Sequence, residues 1–269
     1  MFDLQAYLSG GVALAIFAVL AWLVSVYKKD VSIVDNLWPL KFFLLTVIYL
    51  FTIEEIGPRA QVIASLVFIW AIRLAVHITW RNWGEGEDRR YQAIRRNNEP
   101  NFSVKSLYII FGFQALLAWI ISLPILAGLT AYQPLGVVDY IGIAVAVFGI
   151  VFEGTADYQL QRFKSNPDNR GQVMDRGLWR FTRHPNYFGE CCVWWGLFLL
   201  AISSGGWWSI LSPLLMTFLL LKFSGVALLE KDISDRRPAY RDYIRRTNAF
   251  IPWCPRNNPV NESEKQVRQ

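Results

Sequence analysis

The chain has 269 residues; 54% are hydrophobic, 15% are Phe, Trp or Tyr, and only 18% are charged. About 25% charged residues is usual for a soluble domain, so an ordinary soluble enzyme, a disordered chain and a disulfide scaffold are all poor fits. With a positive mean hydropathy of +0.27 and charges segregated along the chain, the composition predicts an all-α polytopic membrane protein.

Leu4–Tyr27 carries no Asp, Glu, Lys or Arg and is long enough for one helix across a bilayer of about 30 Å. It has no basic leader and no small-residue cleavage site, so it reads as span one (4–27) and not as a signal peptide. Span two is predicted over 32–53, with Asp35 and Lys41 inside it, and span three over 61–80, with Arg73 and His77. The uncharged run Ser106–Val138 contains span four (107–131). Span five follows over 136–157 and includes Asp139, Glu153 and Asp157. The uncharged run Cys191–Leu221 would make one helix of about 46 Å at 1.5 Å per residue, too long for a single crossing. Ser203-Ser204-Gly205-Gly206 is placed to break it into span six (186–202) and span seven (207–229).

Of the 27 Lys and Arg residues, 23 fall in the alternate segments that follow spans one, three, five and seven, and only Arg59 lies in a loop of the other side. The positive-inside rule then predicts seven spans with the N-terminus outside and the C-terminus cytoplasmic. The expected organisation is a single membrane domain, 1–254, with a polar, disordered tail over 255–269. The net charge of +6 is explained by loops beside anionic lipid, so membrane lipids and not nucleic acid are the expected partners. Cys191, Cys192 and Cys254 form no CxxC pair, and with two histidines, His77 and His184, no metal site is expected. The phosphate-binding glycine motifs, HExxH and GxSxG are absent, and no internal repeat suggests a transporter.

Ionisable groups at membrane depth are costly and are functional candidates. Arg73, His77 and Arg81 recur at i, i+4, i+8 and so share a helix face. Asp35 lies at a matching depth and is their expected counter-charge, with Lys41 about 9 Å further along span two. Glu153 and Asp157 are i, i+4 neighbours, and Lys222 lies in span seven. Such groups can simply pair and hold a bundle in register. Their concentration in the cytoplasmic half favours a shared, partly hydrated cavity, with Trp38, Lys41, Arg73 and Glu153 as its substrate-facing candidates.

The stretch DRGLWRFTRHPNYFGE, Asp175–Glu190, carries more chemistry than any other. Pro185 suits the first turn of a helix, whose free N–H groups beside Arg180, Arg183 and His184 would attract an anion. Asn186 and Glu190 fall on the same face of that helix. Beyond span seven, Glu230 is followed by PAYRDY, Pro238–Tyr243. Tyr240, Arg241 and Tyr243 on a short helix could cap a purine or ribose, or equally rest on phospholipid headgroups.

RHPNYFGE (Arg183–Glu190), with RGLWRFT before it and Glu230 and PAYRDY after it, resembles the steroid 5-alpha-reductase-like superfamily. RLAVHITWRNWGEGEDRRY (Arg73–Tyr91) and DVSIVDNLW (Asp30–Trp38) resemble its bacterial seven-span branch. Sterol reductases share RHPNY, and isoprenylcysteine carboxyl methyltransferases share a shorter form of it. The resemblance implies a seven-helix bundle in a bacterial inner membrane that binds NADPH from the cytoplasm. Cofactor contacts would come from Asp157, Arg162, Arg180, Arg183, His184, Asn186, Tyr187, Glu190, Glu230, Tyr240 and Arg241, and Arg90 would hold a cofactor phosphate. Where steroid reductases place a tyrosine after the histidine of span three, this chain has Ile78. Asp35 and His77 are then the local candidates for the catalytic, proton-donating role.

The leading expectation is hydride transfer from NADPH to a polarised double bond of a lipophilic substrate. The alternative is an S-adenosylmethionine-dependent methyltransferase acting on a lipid or a lipidated cysteine. Crowded arginines favour a phosphate-bearing cofactor, whereas a sulfonium calls for carboxylates and aromatics. A lipid-binding scaffold would have no need of buried charges.

Overall fold

The computed structural model describes residues 2–130, 133–223 and 239–256. It is 77% helical, with no strand among the described residues.

Helix α1 (Leu4–Lys28) opens on Asp3, whose side chain accepts from the Ala6 N–H at 2.9 Å, and closes on Lys29 in the left-handed region. The predicted second span is two helices, α2 (Ile33–Asn36) and α3 (Trp38–Thr52), parted at Leu37. Pro39 is the reason. Proline lacks an N–H and clashes with the preceding turn, so it is tolerated in the first turn of a new helix and not inside a continuing one.

Helix α4 (Pro58–Arg81) follows, and α5 (Arg89–Asn98) is a helix the periodicity did not suggest, capped by Asp88 accepting from the Arg90 N–H at 2.8 Å. Helix α6 (Phe102–Leu129) carries a wide π turn at Leu107–Gly112 and a break at Ser122, just before Pro124. Helix α7 (Val137–Ser165) runs past the predicted end at Asp157. Helix α8 (Pro185–Ile202) starts at the proline singled out above. Helix α9 (Trp207–Phe223) follows the expected break, and a short helix, α10 (Tyr240–Arg246), lies in the PAYRDY region. The rest of the predicted seventh span (224–229), Glu230 and the tail from 257 lie outside the described residues.

Four helices, α1, α4, α6 and α7, are long and apolar enough to cross a membrane; α3 and α9 are shorter apolar helices. On α1, Leu8, Val12, Ile16, Leu20 and Leu23 all point outward and are at least half exposed. So continuous an apolar face suits lipid, not water. The protein is a membrane protein.

The chain divides into two compact units, with α7, α8 and α9 each contributing to both. The first comprises 1–147 and 194–215. Here α1 packs on α3 and α3 on α4. A Cβ on Gly10 would stand 2.7 Å from the Tyr49 ring, so glycine is what lets α1 approach α3. Tyr49 is fully buried and its hydroxyl meets Ser122 Oγ at 2.8 Å. Phe42, Trp70 and Trp194 form a buried aromatic cluster, with ring centroids 4.6–5.7 Å apart.

Arg59, expected in a loop, lies instead in the first turn of α4. Its Nε and Nη2 donate to the two oxygens of Asp139 at 2.7 and 2.9 Å, and both side chains are 1% exposed. Asp139 also accepts the Gly136 N–H at 2.8 Å. A charge can be buried this deeply because the bidentate geometry and the backbone donor satisfy the carboxylate.

The second unit comprises 148–193 and the chain from 216. In it α7 and α8 touch backbone to backbone. A Cβ on Gly149 would lie 2.6 Å from the Gly189 carbonyl oxygen, and one on Gly189 would lie 2.6 Å from the Glu153 nitrogen. The C-terminal segment then straps the loop before α8. The Arg183 N–H donates to Asn248 O, the Trp253 N–H to Phe181 O, both at 2.9 Å, and Thr182 Oγ1 to Phe250 O at 2.8 Å. The Tyr243 hydroxyl donates to the Trp179 carbonyl, and Arg246 pairs with Asp175.

Candidate functional site

In the first unit, two of the predicted catalytic and substrate residues, Asp35 and Lys41, are joined by a chain of polar contacts. Arg90 Nη2 donates to Asp35 Oδ2 at 2.8 Å, and its Nε donates to Asp88 Oδ1 at 3.0 Å. The Tyr91 hydroxyl donates to Asp35 Oδ1 at 2.6 Å. Gln114 Nε2 reaches that hydroxyl at a longer 3.4 Å, and Lys41 Nζ donates to Gln114 Oε1 at 2.8 Å. The Lys41 ammonium also lies 5.3 Å from the ring centroid of half-buried Trp38. The chain starts at part-exposed Arg90 and Asp35, passes through buried Tyr91 and ends at Lys41, which is 2% exposed.

Local structure explains the arrangement. The break at Leu37 ends the Asp35 helix before α3 begins, and the Asp88 cap starts α5 so that Arg90 and Tyr91, one residue apart, both reach the same carboxylate. Burial and then the Asp35 carboxylate push the Tyr91 phenol well above its ordinary range, so it keeps its proton at neutral pH.

Beside it, Glu87 accepts the Val31 N–H at 3.0 Å and Arg95 at 2.7 and 2.9 Å. Burial alone would raise its pKa, but the Arg95 and Val31 hydrogen bonds outweigh that and hold it below the usual carboxylate range.

One sequence expectation is corrected here. The counter-charge of Asp35 is Arg90, not the Arg73–His77–Arg81 stripe. Arg90 pairs with Asp35 and Asp88 through Nε and Nη2, and its side chain is 36% exposed. His77 and Arg73 lie one turn apart on α4, both half-buried, while Arg81 is exposed and donates to Asn82 Oδ1 at 3.1 Å. Tyr91 and Gln114 were missed as site residues. Their signals were a tyrosine closing the basic DRRY run and an amide in the middle of an otherwise apolar helix.

In the second unit, α7 contributes buried Glu153 and Asp157, and α8 contributes half-buried Asn186 and buried Glu190. Asn186 Nδ2 donates to Asp157 Oδ1 at 3.3 Å. His184 is buried and stacks on Tyr187, with centroids 5.6 Å apart and planes 6° from parallel.

Arg183, expected to hold cofactor, is buried. Its Nη1 donates to the Ile244 carbonyl at 3.1 Å and to the Thr247 carbonyl, capping the end of α10. That use follows from the helix leaving its last carbonyls without partners. Tyr240 is buried with its ring edge-on to Tyr243 at 5.3 Å, whereas Arg162, Arg180 and Arg241 face solvent. Glu230 lies outside the described residues.

Fold and site together define an all-helical membrane protein with ionisable groups buried among apolar helices. The chain belongs to the DUF1295 family, described as proteins of unknown function, within the steroid 5-alpha-reductase-like superfamily; the family match covers residues 21–247. It is also similar to an uncharacterised protein of the fission yeast Schizosaccharomyces pombe, with 28% identity over 267 residues, 86% of this chain and 75% of the yeast protein. No solved structure matches.

Proposed function

We propose that the protein is an NADPH-dependent membrane reductase that adds a hydride and a proton across a polarised carbon–carbon double bond of a lipophilic, steroid-, sterol- or other lipid-like substrate. The observation that carries this reading is the Tyr91–Asp35 pair, a buried phenol held on a carboxylate at 2.6 Å. It restores a phenolic donor to a chain that has Ile78 after the span-three histidine. When bound, NADPH supplies the hydride. Negative charge then develops on the substrate, and Tyr91, turning from Asp35, donates the proton. Arg90 meanwhile balances the Asp35 charge.

The second unit fits a phosphate-bearing cofactor in its outer residues. Arg162, Arg176, Arg180 and Arg241 face solvent there, and Asn186 and Glu190 lie in the first turns of α8. The membrane reading that accompanies this is seven spans in a bacterial inner membrane, with the cofactor residues cytoplasmic. Arg59, the one basic residue of the opposite side, is buried against Asp139. That sharpens the charge asymmetry on which the orientation rests.

One observation favours a second reading. Glu153, Asp157 and Glu190 are buried in the same unit while Arg183 is used on α10. An interior rich in carboxylates suits the sulfonium of S-adenosylmethionine, and hence a methyltransferase of lipids or lipidated cysteines.

Thermal unfolding of the purified protein in detergent, titrated with each cofactor, separates the two. A ligand at 100 times its Kd stabilises by about 2.7 kcal/mol. NADPH is expected to stabilise the protein, with Asn186→Ala and Glu190→Ala weakening the effect at unchanged folded yield. Stabilisation by S-adenosylmethionine alone would sink the reductase reading.

A further inference from the structure

Helices α1 and α6 are pinned to each other at two levels and stand apart between them. Near the start of α1 the Trp119 indole N–H donates to the Tyr7 carbonyl at 2.8 Å, and the two rings stack with centroids 4.3 Å apart. A Cβ on Gly11 would come within 2.9 Å of the same indole. Near the end of α1 the Trp22 indole N–H donates to the Ser103 carbonyl at 2.6 Å. Between these clasps lies a cavity of about 350 Å³. Its walls are small residues, Ala15 and Ala18 of α1 and Gly112 and Ala115 of α6, and exposed Val19, Tyr108 and Leu116 form its rim. The π turn at Leu107–Gly112 falls on the wall itself; such turns are rare and gather at functional sites. The lining side chains are apolar apart from the Tyr108 hydroxyl and the Trp119 N–H, and the latter is already used on Tyr7.

The space matches one hydrocarbon chain. From Gly11 to Val19 it runs about 12 Å along α1 at 1.5 Å per residue, close to the depth of one leaflet of a core about 30 Å thick. Its volume over that length gives a cross-section of about 30 Å², far too narrow for a second helix of about 10 Å diameter. At the Lys28 end of α1 the surface is cationic. Lys28, Lys29 and Arg96 are exposed. Arg95 donates to the Lys29 carbonyl at 3.4 Å and lies 4.5 Å from the Phe102 ring centroid, and Lys105 Nζ donates to the Asn98 carbonyl at 2.9 Å. These contacts gather the cations beside the Trp22–Ser103 clasp. They outnumber the neighbouring acids Asp30, Glu87 and Glu99, of which Glu87 is paired with Arg95.

We propose that the cavity seats one acyl chain of an anionic phospholipid from the leaflet on the Lys28 side, with its phosphate among Lys28, Lys29 and Lys105. An apolar lining suits the chain and rejects a sugar or nucleotide, whose polar groups would be left without partners. A zwitterionic lipid would bring a cation of its own to a surface already positive. Less of α1 than of α4 or α6 is buried within the protein, so a chain filling the gap adds contacts where the bundle has few. The site shares no residue with the substrate and cofactor groups proposed above.

The test is thermal unfolding of the full chain in detergent, without cofactor, titrated with dioleoylphosphatidylglycerol and with dioleoylphosphatidylcholine. Phosphatidylglycerol is expected to raise Tm saturably, and phosphatidylcholine to bind about tenfold more weakly or less. Ala15→Phe puts a ring into the cavity from an exposed position, so it is expected to fold in wild-type yield. It is expected to weaken phosphatidylglycerol binding by about tenfold, the loss of roughly two buried methylenes. Lys28→Gln combined with Lys29→Asn, an asparagine being at ease in the left-handed backbone of position 29, is expected to weaken it by about thirtyfold. Equal responses to the two lipids overturn the proposal. An undiminished response in Ala15→Phe also overturns it, because attraction to the headgroup alone would then suffice. If Ala15→Phe fails to fold, Val19→Trp at the exposed rim takes its place, and an undiminished response there is equally fatal. A failure of NADPH to bind would leave these results standing and would count against the reductase alone.

Discussion

The Tyr91 hydroxyl donates to Asp35 across 56 residues of chain, at 2.6 Å, while Arg90 takes the other oxygen of the same carboxylate. Two consecutive residues of α5 thus converge on one acid: one neutralises its charge, the other holds a proton on it. Asp35 organises three elements, α2, α5 and, through Gln114, α6.

Tyr91→Phe is expected to cost about 1 kcal/mol of stability, the net worth of one hydrogen bond. In the proposed reductase it lowers turnover about 10²–10⁴-fold, the usual contribution of a positioned proton donor. NADPH affinity, read from thermal titration, is unchanged, because Tyr91 belongs to the first unit. A variant that loses cofactor binding together with turnover would show that Tyr91 shapes the fold and has no part in the proton step.

The Arg59–Asp139 pair gives a test that needs no ligand. Removing either partner leaves a buried charge alone and is expected to destabilise by about 3–5 kcal/mol. Replacing both, as in Arg59→Met with Asp139→Leu, is expected to recover most of that loss, since an apolar pair of similar volume has no desolvation penalty. Denaturant or thermal unfolding of the two single variants and the double variant closes the cycle. Two additive losses would contradict the pairing.

Stability at acidic pH should report on Glu87. Its folded pKa lies below that of the unfolded chain, because the Arg95 and Val31 hydrogen bonds outweigh the opposing effect of burial. A depressed carboxylate contributes stability that is complete above the unfolded value, about 4.3 for Glu, and that disappears as pH falls through the folded value. The wild type is therefore expected to exceed Glu87→Gln in Tm at pH 7, with the gap closing below about pH 4. A gap that stays constant across that range would mean that the carboxylate charge plays no part in holding the Val31 turn.

Much of the helical framework was legible because it is written in runs. Apolar segments with few charges are local facts, and α1, α4, α7 and α8 begin within a few residues of where hydropathy and Pro185 place them. The Ser-Ser-Gly-Gly break before α9 was visible for the same reason: glycines and serines cannot sustain a helix there without packing. Pro39 carried an equally local signal, and the break at Leu37 could have been read from it. Helix α5 was not legible, since RRYQAIRRNN has one apolar face only in the context of what it covers.

Charge partners were the least legible part. Asp35 was matched to the Arg73–His77–Arg81 face by depth along parallel rods. The chain instead folds α5 back so that Arg90, 55 residues from Asp35, arrives first. Arg59 was counted as a loop charge, because nothing nearby in sequence announces Asp139 80 residues on. Arg183 looked available for an anion, because its use depends on where the end of α10 comes to rest.

The sequence by itself determined that this is an all-helical membrane protein and where most of its apolar helices lie. Those properties follow from the solvent preference and periodicity of neighbouring residues, and neighbours in sequence are neighbours in a helix. Only the tertiary structure decided which partners the charged side chains meet. Asp35, Asp139 and Arg183 find their partners 55, 80 and 64 residues away in sequence. In a bilayer those pairings carry much of the energetics, because an unmet charge has no water to turn to.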